Sequence, residues 1–180
     1  MASVALVTHE GAAHISAYVN AIRDLDSISD VCIVDEDGAV FDEAHEIIGD
    51  KITATYRSFD EMLRNQDPLM AIVTPSARTA PPLIQAALEA GTHVLAEKPA
   101  CVNPDDFSAL TDLADKKQVH LMLALGNRSA PWAQDARRIY QQRGIGDLYA
   151  VRTHSRAADR GAGEALADRG VELAGAERAA

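Results

Sequence analysis

The sequence predicts a doubly wound α/β fold, a parallel sheet with helices on both faces, and three observations carry that prediction. Short apolar runs rich in Val, Ile and Leu alternate with helix-length amphipathic segments, the pattern of buried parallel strands joined by helical crossovers. The second run, Val31-Cys32-Ile33-Val34-Asp35, closes on an acid. The fifth, Val94-Leu95-Ala96, ends on Glu97-Lys98-Pro99, and in an open α/β sheet ligands bind at the carboxyl ends of the strands.

The elements follow in order. A strand near 3–8 contains Val4 to Val7, and a helix is expected near 13–25. The strand near 30–35 runs into the turn-like Asp35-Glu36-Asp37-Gly38 before a helix near 39–49. A strand near 53–56 precedes a helix near 58–66, for which Ser58 is the N-cap and Asp60-Glu61 place negative charge in the first turn. The strand near 69–74 stops at Thr74-Pro75, and the helix near 79–90 stops at Gly91. The strand near 92–96 leads to a helix near 103–117, capped by Asn103 and opened by Asp105-Asp106. A strand near 119–124 and a helix near 131–142 complete the set. Six strands with helical crossovers suit the nucleotide-binding order in which strands one and four flank the switch point. Val7-Thr8-His9 and Val73-Thr74-Pro75 then face one crevice, with Glu97-Lys98 beside them.

A further strand is expected over 148–153, after which the chain turns to Ala, Gly, Arg and acids, with Leu166, Val171 and Leu173 as its only large aliphatics from Arg156 onward. So little apolar surface does not offset the entropy of ordering, and a frayed tail is expected. The organisation predicted is a dinucleotide-binding domain over 1–146 and a short, poorly ordered extension over 147–180.

Composition excludes several partners. At 180 residues and 47% hydrophobic the chain can bury one sizeable core. A formal net charge of −10 without basic clusters argues against nucleic acid and anionic membranes. Cys32 and Cys101 read as reduced thiols. The N-terminus enters a strand without a charged leader, and no apolar run approaches a membrane span. A soluble, unprocessed, cytoplasmic protein is expected.

Asp35 stands where dinucleotide folds place an acid that bonds the adenosine ribose hydroxyls, which also disfavours a 2′-phosphate and so selects NAD over NADP; its bland alternative is an acid opening a turn. After the first strand a Gly-x-Gly-x-x-Gly pattern is wanted. One register gives Thr8, Glu10 and Ala13, the other His9, Gly11 and His14, so only Gly11 survives. Glu10 about 4 Å from a diphosphate would cost about 1 kcal/mol if solvated and about 4 kcal/mol at an effective dielectric near 20. An outward-pointing Glu10 avoids that cost, and a protonated His9 or His14 offsets it. His9 and His14 lie five apart around a glycine, whereas a zinc-protease helix needs histidines four apart, so metal binding is rejected. His45, His93, His120 and His154 are scattered. Thr74-Pro75 either ends a strand or touches the cofactor, and Asn127-Arg128 either lines its nicotinamide side or begins a loop.

The segment from Met70 to His154, above all Ala86 to Pro99 and Gly144-Ile145-Gly146-Asp147-Leu148, resembles the glucose-fructose oxidoreductase, inositol dehydrogenase and MocA family (Gfo/Idh/MocA), over about residues 1 to 154. The resemblance implies NAD(P)-dependent hydride transfer at a carbinol carbon of a sugar, inositol or similar polyol, with a homo-oligomer as a further expectation. It makes Lys98 catalytic: the lysine of Glu-Lys-Pro lies by the nicotinamide and the substrate hydroxyl, where its charge stabilises a developing alkoxide. Thr8, His9, Gly11, Ala13, Asp35, Thr74, Pro75, Glu97, Lys98 and Asn127 are the expected cofactor-binding set. Three departures stand out: the eroded glycine loop, Thr79 where the family often has a histidine, and the lack of the family's second domain beyond its first strand, which reads as a truncation. A general base would then come from His154 or another subunit. The alternatives are a non-catalytic nucleotide-binding or sugar-sensing module, and a structural fragment whose Glu10 has closed the site.

Overall fold

The computed structural model describes residues 1–147 and Ala150. The expected strand over 148–153 (save Ala150), His154 and the tail from Arg156 lie outside the described residues. The chain divides into two compact units, Met1–Leu125 and a second beginning at Gly126.

In the first unit six parallel strands form one sheet: β1 (Ala2–Val7), β2 (Ile28–Val34), β3 (Ile52–Tyr56), β4 (Met70–Val73), β5 (His93–Ala96) and β6 (Leu121–Leu123). Their order is β3-β2-β1-β4-β5-β6, so the switch point falls between β1 and β4 as the crossover pattern predicts. The crossovers carry α1 (Ile15–Asp24), α2 (Phe41–Ile48), α3 (Phe59–Asn65), α4 (Ala80–Glu89) and α5 (Pro104–Lys117).

Period-two alternation distributes the core over both faces. Val4 and Leu6 of β1 pack with Val19 and Ile22 of α1 and with Ala44 and Ile48 of α2. Ala5 and Val7, pointing the other way, join Phe59 and Met62 of α3 and Ile84 and Leu88 of α4. The caps act as their chemistry requires: Ser58 Oγ accepts from the Glu61 N–H at 3.3 Å, Asn103 Oδ1 from the Asp105 N–H at 3.1 Å, and Gly91 ends α4 at φ +87°. Lys51 Nζ donates to the carbonyls of Ile22, Arg23 and Leu25, a cation closing the carboxyl end of α1.

The register sets up the site. Val7 pairs with Val73, and Val73 with Ala96. The next residues, Thr8, Thr74 and Glu97, therefore begin three neighbouring loops at one edge of the sheet.

The second unit contains a 3-10 turn over Gly126–Ser129 and α6 (Pro131–Gln141), with Pro131 in the first turn, where a missing N–H costs nothing. No described helix is long and apolar enough to cross a membrane.

Candidate functional site

Thr8 and Thr74 seal the floor of the crevice. Both are buried; the Thr74 N–H donates to the Val7 carbonyl at 2.9 Å, and Thr74 Oγ1 lies 2.9 Å from Thr8 Oγ1, to which it donates. Pro75 follows, half-buried. These threonines join β1 to β4 just where the strand order reverses.

Above this floor runs the turn from His9 to His14. His9, Glu10, Gly11, Ala13 and His14 are exposed, while Ala12 is buried and anchors the turn. Gly11 adopts φ +71° with nothing within 4 Å of where a Cβ would stand, a left-handed conformation glycine takes without cost. His14 precedes α1 at φ 59° and offers no side-chain cap. Consequently the backbone N–H groups of Gly11, Ala13, His14 and Ser16 have no acceptor among the described residues. Such orphan donors at a helix start, aligned with the positive end of its dipole, form an anion site. His9 spends its Nδ1–H on the Glu10 carbonyl at 2.8 Å. The exposed Glu10 side chain has no ionic or hydrogen-bonding partner among the described residues, so it stands in solvent. The donor set fits a diphosphate.

Asp35 lies at the end of β2, as expected, but its carboxylate turns into its own loop. It is 1% exposed; Oδ2 accepts from the Val40 N–H at 3.0 Å and Oδ1 from the Asp37 N–H at 3.3 Å. Arg57, just past β3, donates to the carbonyls of Asp37 and Glu36 at 2.7 and 3.3 Å.

At the end of β5, Glu97 is 4% exposed and Lys98 is exposed, with a cis peptide bond between Lys98 and Pro99. Glu97 Oε2 accepts from the Tyr18 hydroxyl at 2.6 Å and from His14 Nδ1 at 3.2 Å; Oε1 accepts from the Lys98 N–H at 3.0 Å. Burial would raise the Glu97 pKa, yet the Tyr18, His14 and Lys98 donors outweigh it and hold the carboxyl below its usual range. Burial and the adjoining carboxylate together push the Tyr18 hydroxyl well above the usual phenol range. The Lys98 ammonium makes no ion pair among the described residues, leaving it free to meet a ligand.

The structure thus gathers Thr8, Thr74, Glu97 and the His9–His14 turn at one edge. Asn127 sits exposed in the 3-10 turn of the second unit. Thr79 starts α4, its Oγ1 donating to the Ser76 carbonyl at 3.2 Å. Tyr18 escaped sequence reasoning as a site residue; its four-residue spacing from His14, which puts both on one helical face, was the available signal. Cys32 and Cys101 are both free, and burial raises both thiols. No group of three His, Cys, Asp or Glu among the described residues is arranged to hold a metal ion.

Comparison with known proteins agrees with this geometry. The Gfo/Idh/MocA family model, described as an oxidoreductase family with an NAD-binding Rossmann fold, matches residues 6–125. That match stops short of residue 154, the extent the sequence motifs imply. UDP-N-acetylglucosamine 3-dehydrogenase of Acidithiobacillus ferrooxidans is 34% identical over 92 residues, 49% of this chain and 28% of that protein. Trans-1,2-dihydrobenzene-1,2-diol dehydrogenase of Mus musculus is 30% identical over 101 residues, 56% of this chain and 30% of that protein. Among solved structures, the WlbA dehydrogenase of Chromobacterium violaceum, in complex with NADH and UDP-GlcNAcA, superposes with a TM-score of 0.73 at 26% identity, covering 82% of this chain and 42% of that one. Scyllo-inositol dehydrogenase of Lactobacillus casei, with NAD(H) and scyllo-inositol bound, shares the fold at a TM-score of 0.69 and 18% identity, covering 83% and 43%. The matched part of this chain therefore covers less than half the length of each of these proteins. With two thirds of its residues under the family model and the switch-point geometry in place, this chain belongs to the Gfo/Idh/MocA oxidoreductase family.

Proposed function

We propose that this chain holds NAD at the carboxyl edge of its sheet and takes part in hydride transfer between the nicotinamide and a sugar, inositol or similar polyol. The observation that carries the reading is the set of unspent amides of Gly11, Ala13, His14 and Ser16 beside the exposed Lys98. The amides take the diphosphate, assisted by the α1 dipole. NAD, when bound, supplies the hydride acceptor. Lys98 would approach the substrate hydroxyl and stabilise the charge that develops on its oxygen, while the proton would pass to a general base supplied by His154 or another subunit. Asp35, with both oxygens on loop amides, orders the β2–α2 loop on which the adenosine ribose rests. The exposed acids Glu36 and Asp37 on that loop disfavour a 2′-phosphate. The polyol substrate and a homo-oligomeric assembly are carried over from the family.

Titration with NADH, followed by nicotinamide fluorescence, tests the first part, with NADPH and the Lys98→Ala variant alongside. Saturation by NADH at lower concentration than NADPH is expected, retained in Lys98→Ala, whose polyol oxidation is lost. No saturation at millimolar NADH overturns the reading. A second reading, a non-catalytic nucleotide-binding or sugar-sensing module, is favoured by the survival of Gly11 alone in the phosphate turn. Turnover of any polyol excludes it.

A further inference from the structure

Glu97 lies where two parts of the proposed cofactor site meet. One of its oxygens serves α1 through Tyr18 and His14, and the other serves the backbone N–H of Lys98. A carboxylate this buried keeps its charge only where donors replace the lost water, and bonds to an ionised acceptor are about twice as strong as neutral ones. The α1 turn needs such a tie. It has no side-chain cap, and the residue that begins it, His14, is left-handed. Ala12 and Val19 hold the turn and the helix to the core, but no side-chain cap orders the exposed residues between them. Tyr18 supplies a link across the crevice to a residue 79 positions away.

We propose that Glu97 is a positioning residue that ties the α1 turn to Lys98 through Tyr18, so that the phosphate-facing amides and the lysine take up their geometry together. The proposal rests on the reading that the α1 turn receives the NAD diphosphate, and it assigns Tyr18 a role in the site. The titratable groups facing Glu97 are His14 and Tyr18, both from α1; from its own strand end only the Lys98 N–H reaches it.

The test uses Tyr18→Phe, which keeps the ring and removes one donor, together with Glu97→Gln and the double variant. NADH affinity is measured as a function of pH, and amide hydrogen exchange is measured without cofactor. Tyr18→Phe should weaken NADH binding about tenfold, the loss of one hydrogen bond to a charged group. It should also move the acid limb of NADH binding to higher pH, because the carboxyl has lost a donor that favours its ionised form. Exchange at the Lys98 amide should quicken together with that at Ala17 and Tyr18, whose N–H groups donate to the His14 carbonyl. In the Glu97→Gln background, where the Tyr18 hydroxyl meets a neutral acceptor, the Phe substitution should cost less than in the wild type. A hydroxyl with a purely structural role would lower the melting temperature on its removal and leave the acid limb in place. A wild-type pH profile with unchanged Lys98 exchange in Tyr18→Phe overturns the proposal, whether or not Glu97→Gln folds. If the wild-type chain binds no NADH, the cofactor reading fails, and Lys98 amide exchange in Tyr18→Phe still decides the coupling.

Discussion

Two loops leave adjacent strands at the carboxyl edge of the sheet, one after β1 and one after β2. After β2, the Asp35 carboxylate serves the amides of Asp37 and Val40, and Arg57 serves the carbonyls of Glu36 and Asp37. Gly38, at φ +72°, is packed so closely that an added Cβ would stand 2.8 Å from the Arg57 guanidinium and 3.0 Å from the Phe41 ring. After β1, the amides of Gly11, Ala13, His14 and Ser16 are among those without an acceptor in the described residues, and Gly11 adopts almost the same φ in open space. The β2 loop holds its acid and two of its carbonyls internally, although the amides of Glu36, Ala39, Asp42 and Glu43 also lack an acceptor among the described residues. What separates the two loops is packing at their glycines: Gly38 is enclosed by Arg57 and Phe41, whereas Gly11 stands in open space, as the proposed diphosphate site requires.

The sharpest way to break the comparison is Gly38→Ala. A left-handed alanine costs about 1–2 kcal/mol, and displacing Arg57 and Phe41 brings the loss to about 2–3 kcal/mol, read as a lower urea midpoint. Next comes Asp35→Ala, which strands the Val40 and Asp37 amides and should destabilise the fold by about 2 kcal/mol. Gly11→Ala should lose only about 1 kcal/mol of stability, the left-handed term alone. It should instead weaken NADH binding about tenfold, because the new methyl group occupies the diphosphate's approach. Equal stability losses at the two glycines would remove the distinction between the loops. Glu10→Gln should leave stability unchanged and shift NADH binding by no more than about twofold, because a carboxylate standing in solvent is screened from the diphosphate. The smallest effect is in acid. The folded Glu97 carboxyl titrates below its usual range, so its stabilisation is complete above the unfolded value and disappears as pH falls through the folded one. Glu97→Gln should therefore flatten the acid side of the stability profile, measured by urea midpoints from about pH 3 to 7.

The sheet and its helices were legible because each buried strand is a short apolar run, and the capping residues Ser58 and Asn103 do locally what their chemistry favours. Boundaries moved where tertiary pairing decided. Ile28 joins β2 because it pairs with Ala2, although Asp30 interrupts the apolar run. The first helix begins at Ile15 rather than 13 because His14 is left-handed. Of the site, the edge shared by Thr8, Thr74 and Glu97 followed from strand order alone. The Tyr18–Glu97–His14 network did not, since Glu97 lies 79 residues from Tyr18 and 83 from His14, and the His14–Tyr18 spacing alone does not point to it. Nor did the inward turn of Asp35, which depends on the amide positions of a loop that sequence describes only as turn-like.

The central claim is that the β1–α1 turn, with its unspent amides, receives the cofactor diphosphate. The most direct test is an NADH titration of the wild-type chain followed residue by residue through backbone amide NMR shifts. Saturable movement of the Gly11, Ala13, His14 and Ser16 resonances, with the Asp37 and Val40 amides much less affected, is the predicted result. Saturable binding that leaves those four amides unmoved, or no binding at millimolar NADH, would contradict it.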